Sequence, residues 1–327
     1  MTEGIRFFTH GDLDAGVSAV ILARAVGVGA RIRTSACQYD GPGNIDELVN
    51  AFLDTVEAGT AEEKSLVIAD IAPTKETCER IDSLKSEFTK LQVFDHHKTT
   101  LWAKDGPFAW FEHSGNDACA ALMLRRSLRA NATDPDEESL VLAADAWDRW
   151  QLDSVHRERG EDLNTLFNFV GFNRFVKMFG DFPNADTQPT VRFLVHEAKI
   201  RSTRLLEAAL YKQIRSSAPR VYLDKNNNSF VLLMGGSDLD VSTFASRTLD
   251  TLRATVDYVA VLLPEIGVVS LRAHAGGVDV SAIAEERNGG GHAAAAGFPL
   301  FEMLASVHHE ALKCLTGRSG AGEEEYG

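Results

Sequence analysis

The chain has 327 residues, 44% hydrophobic and 24% charged, which predicts about two domains able to bury a sizeable core without staples. Its formal charge of −14 argues against sequence-blind binding of long duplexes and against an extended single-strand track, although a metal cluster can reverse the sign inside one cleft and admit a small nucleotide. No run approaches ~18 uninterrupted apolar residues, "MTEGIRFF" lacks the pattern of a secretory signal, and Cys37, Cys78, Cys119 and Cys314 form no CxxC pair, so a cytoplasmic protein with reduced thiols and no membrane span is expected.

"IRFF" (5–8) reads as a strand, followed by a polar loop, "HGDLDAG", and a buried helix over 17–27 closed by Gly27 or Gly29. "ARIRTSA" (30–36) is a second strand, and "IDELVNAFLDTV" (45–56) has the three-and-four apolar spacing of a helix. The strand "SLVIAD" (65–70), the Thr74-capped helix of 74–88 and the strand "LQVFD" (91–95) follow. Helices are expected over 114–130 and 138–150, and the phenylalanine-rich stretch 160–183 reads as core or lid packing rather than a stacking platform. A long helical pattern between Pro189 and Pro219 reads as a connector.

After the connector, "RVYLD" and "SFVLLM" flank the turn "KNNN" as a hairpin, and "STFASRTLDTLRA" is a helix. Two strands share "DYVAVLLPEIGVVSLRAH". The helix "DVSAIAEERN", the glycine-rich run "GGGHAAAAGF" and a last helix to about Leu315 complete the pattern, before a Gly- and Glu-rich tail that reads as disordered. The expected fold is α/β: an N-terminal doubly wound, mainly parallel sheet domain plus a smaller C-terminal α/β domain with a mixed sheet.

In open α/β sheets, ligands bind beyond the carboxyl ends of the strands. His10, Asp12 and Asp14 follow the first strand, Asp70 ends the third, and Asp95, His96 and His97 end the fourth. Asp145 and Asp148 share one helical face at i, i+3. Taken singly, Asp14 could be a helix cap, Asp70 a strand-end cap and His96 a satisfied core histidine. Together they are crowded carboxylates, which repel one another unless a cation is present. Oxygen ligands with a few imidazoles and no thiolate suit Mn²⁺ or Mg²⁺ better than structural zinc, and a pair of such ions can clamp a phosphate and activate water.

The motifs "HGDLDAG", "ADIAPTKE", "FDHHKTT" and "DAWDRW", with "VSLRAH" and "GGGHAAAAGF" behind them, resemble in residue and order the DHH phosphoesterase superfamily with its associated C-terminal domain. The resemblance spans roughly residues 5–300 and is greatest to the B-type oligoribonuclease, or nanoRNase, branch. It implies a catalytic domain over 1–189, a connector over 190–218, a substrate-binding domain over 219–316 and a tail over 317–327. It implies two Mn²⁺ ions, with Mg²⁺ or Co²⁺ as substitutes. His10 and Asp12 would hold one ion, Asp14, His96 and Asp148 the other, and Asp70 would bridge them; Asp145 is the alternative to Asp148. His97 would touch the substrate phosphate and Asp95 would orient a histidine. Arg272, Gly290, Gly291 and His292 would hold the substrate. A glycine-rich run taken alone is more simply a tight turn.

The expected activity is hydrolysis of very short oligonucleotides to mononucleotides, extending to pAp. Hydrolysis of cyclic or linear dinucleotide signals such as pApA, and nucleotide binding without turnover, are the alternatives. The single residue between His10 and Asp12, where pyrophosphatase-like members often have three, argues against that branch. The expected partner is a short oligonucleotide or dinucleotide, with no long duplex and no membrane, and a homodimer stays open.

Overall fold

The computed structural model describes residues 4–301, apart from 28–29, 38–43, 105, 217–218, 237–238 and 254. The expected last helix, the tail and Cys314 lie outside the described residues. The chain divides into two compact units, Met1–Thr203 and Arg204–Gly327.

The first unit runs β1 (Gly4–Thr9), α1 (Leu13–Val26), β2 (Ile32–Ala36), α2 (Ile45–Glu57), β3 (Glu63–Ala69), α3 (Lys75–Ser83), β4 (Lys90–Asp95), β5 (Phe111–His113), α4 (Ala120–Leu128), α5 (Pro135–Asp148), α6 (Arg157–Val170) and α7 (Phe172–Asp181). The long helix α8 (Pro189–Leu210) leads from it into the second unit. The five strands are all parallel, in the order β2-β1-β3-β4-β5. β1 is buried along its whole length, as a strand covered on both faces must be. One face carries a core of α1, α4, α5, α6 and α7 around Phe7, Val67 and Phe94. The other carries α2 and α3 around Phe8, Leu66 and Ile68. The chain leaves β1 toward β2 on one side and reaches β3 on the other, so the topological switch point lies at the carboxyl ends of β1 and β3.

The second unit continues with β6 (Val221–Leu223), β7 (Ser229–Met234), α9 (Val241–Thr251), β8 (Tyr258–Leu263), β9 (Val268–Ala273), α10 (Val280–Glu285), β10 (Gly290–His292) and β11 (Ala295–Pro299). Its sheet has the order β10-β11-β9-β8-β7-β6 and is mixed: β7 and β8 are parallel, and the other pairs are antiparallel. The α/β class and the pairing of a parallel with a mixed sheet are as the sequence predicts. Among the described residues, no helix is long and apolar enough to cross a membrane.

Several local expectations change. The polar loop after β1 is shorter, because Asp12 caps α1 by accepting from Ala15 N–H at 3.1 Å, which places Asp14 in the first helical turn. The helix expected over 114–130 begins at Ala120; Gly115 (φ 71°) and Asn116 (φ 102°) hold the preceding residues in a turn. In the phenylalanine-rich stretch, Phe167, Phe175 and Phe179 are core, whereas Phe169 and Phe182 are exposed. The glycine-rich run forms the β10–β11 hairpin, in keeping with the tight turn such a run suggests by itself.

Candidate metal centre

The acidic motifs converge at the switch point because each closes an element of the first unit. His10 and Asp12 leave β1, Asp70 leaves β3, Asp95 ends β4 with His96 and His97 behind it, and Asp148 is the last residue of α5. His10, Asp12 and Asp70 place one ligand atom each within 4.8 Å of one another, and so do Asp14, His96 and Asp148. Asp70, a member of the first triad, also reaches the second. Its Oδ2 is 4.0 Å from His10 Nδ1, and its Oδ1 is 3.3 Å from His96 Nε2. His96 Nε2 is also 3.3 Å from Asp148 Oδ2 and 3.8 Å from Asp14 Oδ2.

This arrangement is strained as protein alone. Asp70 has φ 63°, a left-handed conformation that is uncommon for non-glycine residues and clusters at functional sites. Its N–H is nonetheless satisfied by Phe94 O at 3.0 Å. Asp70 Oδ2 and Asp148 Oδ2 are buried and receive no hydrogen bond, which is costly for a carboxylate. Burial, then the charges of Asp12, Asp14 and Asp148, push the Asp70 carboxyl well above the usual range. Burial, then Asp14 and Asp12, do the same to Asp148. Asp14 is raised by burial, against the pull of His96. Asp12 differs: burial raises it, but His10, 3.0 Å away, outweighs burial and holds it below the carboxylate range. Two orphaned buried oxygens among crowded acids and imidazoles form a donor set that fits divalent cations.

Beside the triads, His97 Nδ1 is 2.7 Å from Asp95 Oδ1, and Thr100 Oγ1 donates to Asp95 Oδ2. Burial pushes Asp95 up, but His97 and these bonds outweigh it, so Asp95 is an anion. His97 therefore carries its proton on Nδ1 and turns Nε2 to other partners.

Asp145 and Asp148 have separate surroundings. Arg149 grips Asp145 with two bonds of 2.8 Å, Gln151 Nε2 donates to it at 2.8 Å, and Cys119 N–H donates at 2.8 Å. Asp145 is thus occupied in joining α5 to the start of α4, while Asp148 faces the triad.

Several neighbours carry no strong sequence signal. Asp14 receives the first N–H groups of α4, Ala120 on Oδ2 and Ala121 on Oδ1, each at 2.8 Å. Cys119 lies against the acids as a neutral thiol, its pKa driven well up by burial and then by Asp14 and Asp148. His113 Nε2 donates to His97 O at 2.9 Å while its Nδ1 accepts from Gly115 N–H. The Asp145–Arg149 pairing, an i, i+4 acid–base spacing, is by contrast readable from sequence.

The residues expected to hold substrate belong to the second unit. Ala295 of β11 pairs with Arg272 of β9 on one side and His292 of β10 on the other, so Arg272 and His292 stand on the same face of the sheet. Arg272 donates to Ser242 Oγ at 2.6 Å. Burial lowers its pKa to about 10, against the pull of Asp240, and leaves it a cation at neutral pH. Gly290 opens β10. Gly291 (φ 135°) has no room for a side chain: a Cβ would lie 2.6 Å from Ala295 O. Its neighbour Gly289 is as confined, with Gly297 O at 2.1 Å. Close hairpin packing accounts for both glycines.

No family model matches the chain. The curated oligoribonuclease NrnB of Bacillus subtilis (strain 168) is 23% identical over 297 residues, covering 89% of this chain and 71% of that protein. Among solved structures, the DHH domain of a protein assigned to a family of ribosomal proteins superposes with a TM-score of 0.57 at 16% identity, covering 98% of this chain and 88% of its own. An exopolyphosphatase-related protein from Bacteroides fragilis gives 0.51 at 14% identity, covering 97% and 94%. The chain is thus similar in sequence to an oligoribonuclease and shares its fold with a solved DHH domain.

Proposed function

We propose that this chain is a metal-dependent phosphodiesterase that hydrolyses very short oligonucleotides to mononucleotides, with pAp as a further substrate. The carrying observation is the pair of ligand triads linked by Asp70, which belongs to the first and turns one carboxylate oxygen to His10 and the other to His96 of the second. The curated relative is named an oligoribonuclease, which supports the same substrate class.

Two divalent cations would fit the donor set: His10 and Asp12 would hold one, Asp14, His96 and Asp148 the other, and Asp70 could serve both. Oxygen and imidazole donors with a neutral Cys119 favour Mn²⁺. Bound there, the ions supply Lewis-acid stabilisation of a phosphoryl group and lower the pKa of water.

The protein groups do the positioning. Asp95, fixed by Thr100, accepts from His97 Nδ1 and holds the ring; as an imidazolium, protonated on both nitrogens beside the Asp95 anion, His97 can donate from Nε2 to a phosphate oxygen, where preorganised donors act most strongly as charge develops. His113 holds the backbone of His97 from the other side. In the second unit, Arg272 and His292 offer a planar fork and an imidazole on one sheet face, suited to a nucleotide's phosphate and base. Asp148 is the ligand in preference to Asp145, whose oxygens are already occupied.

The test is turnover of labelled oligonucleotides from two to about twenty residues in Mn²⁺, with pAp and a cyclic dinucleotide alongside, because remote binding energy is expressed in kcat/KM. Fastest turnover of di- to tetranucleotides, abolished by chelation, is the expected result. Tight binding of dinucleotides without product would overturn the proposal in favour of a binding module. Preference for the cyclic substrate would reassign the reaction to signal hydrolysis.

A further inference from the structure

Among the described residues, strand β6 is an edge of the second unit's sheet, paired to β7 on one side only. All three of its side chains are exposed: Val221 45%, Tyr222 40% and Leu223 66%. Such an edge is a template for another strand, and proteins blunt it with charge, proline, a bulge or shortness. β6 is short, yet its residues include no charge and no proline; Pro219 and Arg220 precede it and Asp224 follows it.

The hairpin fixes which backbone groups face outward. Asp224 N–H donates to Asn228 O at 2.9 Å, and Tyr222 stands opposite Phe230 two residues earlier. Asp224 and Tyr222 therefore turn their N–H and C=O groups toward β7, and by alternation Val221 and Leu223 turn theirs away from it. We propose that this edge pairs with the same edge of a second copy of the chain, antiparallel about a two-fold axis at Tyr222.

The sequence around β6 is self-complementary in that register. Val221 meets the second copy's Leu223 in a hydrogen-bonded pair, twice over by symmetry, giving about four backbone bonds. Arg220 and Asp224 are equally spaced from Tyr222, so each end sets an arginine opposite an aspartate. Centring the pairing one residue earlier or later sets Arg220 or Asp224 opposite Tyr222 and leaves the other charge unmatched. On the aromatic face, Tyr222 lies 5.6 Å from Phe230, which stacks on Tyr258 at 5.1 Å, and the two-fold joins two such rows at their tyrosines. This self-matching selects a second copy over an unrelated strand. The contact is small, so the dimer is a weak, concentration-dependent one.

Sedimentation velocity over a ~100-fold concentration range should show a monomer–dimer equilibrium. Val221→Pro removes an outward N–H at a position where an edge strand tolerates proline, and Leu223→Lys adds charge to an exposed site. Each should weaken association at least ~10-fold with unchanged circular dichroism. The register has its own test. A cysteine at position 222 meets its own copy across a non-hydrogen-bonded pair, where Cα atoms are ~4.5 Å apart, within disulfide reach. Mild oxidation should cross-link Tyr222→Cys into a dimer and leave Val221→Cys and the wild type uncross-linked. A wild type monomeric at every concentration, a dimer indifferent to both edge substitutions, or equal cross-linking at 221 and 222 would each overturn the proposal.

Discussion

Replacing Asp70 by asparagine should stabilise the metal-free protein and disable the enzyme. Asparagine is the right probe because it tolerates the left-handed backbone found at φ 63°. Its carbonyl can still accept from His96, and its amide can donate where two carboxylates now face each other. Like charges 4 Å apart interact by about 4 kcal/mol at an effective dielectric constant near 20, and the ligand atoms of each triad lie within 4.8 Å of one another. Asp70 escapes part of that repulsion by keeping a proton, since its folded pKa is raised well above its unfolded value. The penalty therefore grows by about 1.4 kcal/mol for each pH unit above the unfolded pKa until the folded pKa is reached. Stability attached to Asp70 is complete below the unfolded pKa, near 4, and is lost as pH rises through the folded one. In chelator at pH 8, Asp70→Asn should be more stable by ~1–3 kcal/mol, with Tm higher by ~2–4 °C per kcal/mol. Near pH 4 the difference should vanish. With Mn²⁺ the order should reverse, because the amide cannot neutralise two ions, and kcat should fall at least ~10-fold, or ~1.4 kcal/mol of barrier. Calorimetry in chelator at both pH values, with dinucleotide turnover beside it, reads every arm. No gain at pH 8, or the same gain at pH 4, would refute the electrostatic account; kcat above about a tenth of wild type would remove Asp70 from the shared position.

Asp148→Asn should abolish turnover while the fold persists. Asp145→Asn should instead lower stability by ~1–3 kcal/mol in urea denaturation, because it weakens the hold on Arg149, Gln151 and Cys119 N–H. Gly160→Ala should destabilise by ~1–3 kcal/mol and slow turnover, since its Cβ would lie 2.4 Å from Ala143 O and 2.9 Å from Trp147 Cβ, forcing α6 off the helix that carries Asp148; equal thermal stability would contradict the packing. Arg272→Ala and His292→Ala should slow dinucleotide hydrolysis strongly and leave bis-p-nitrophenyl phosphate, which offers no nucleotide to hold, nearly untouched. Parallel losses in kcat/KM on both substrates would assign these residues to folding.

The fold and the meeting of the acids were legible because both follow from local pattern. Buried parallel strands such as β1 and β3 read as apolar runs, and a polar residue ending such a run has to lie at the carboxyl edge of the sheet. What stayed hidden depends on partners distant in sequence. Spacing puts Asp145 and Asp148 on one helical face, but only the folded chain brings Cys119 N–H to Asp145 across 26 residues. The hairpin role of Gly289 and Gly291 comes from β11 lying against β10, a tertiary contact that a glycine count does not reveal. Asp14 shows most clearly why the two levels differ. In sequence it is one more acid in a cluster, with helix capping as its ordinary explanation. In the fold it does cap a helix, but not its own: it receives the first N–H groups of α4, 106 and 107 residues away. Those N–H groups and the positive end of the α4 dipole favour its charged form, while burial and Asp12 oppose it. A carboxylate held on both oxygens in this way cannot swing out to solvent to relieve the crowding. The repulsion is therefore built into the resting fold, and a cation held among these acids would relieve it.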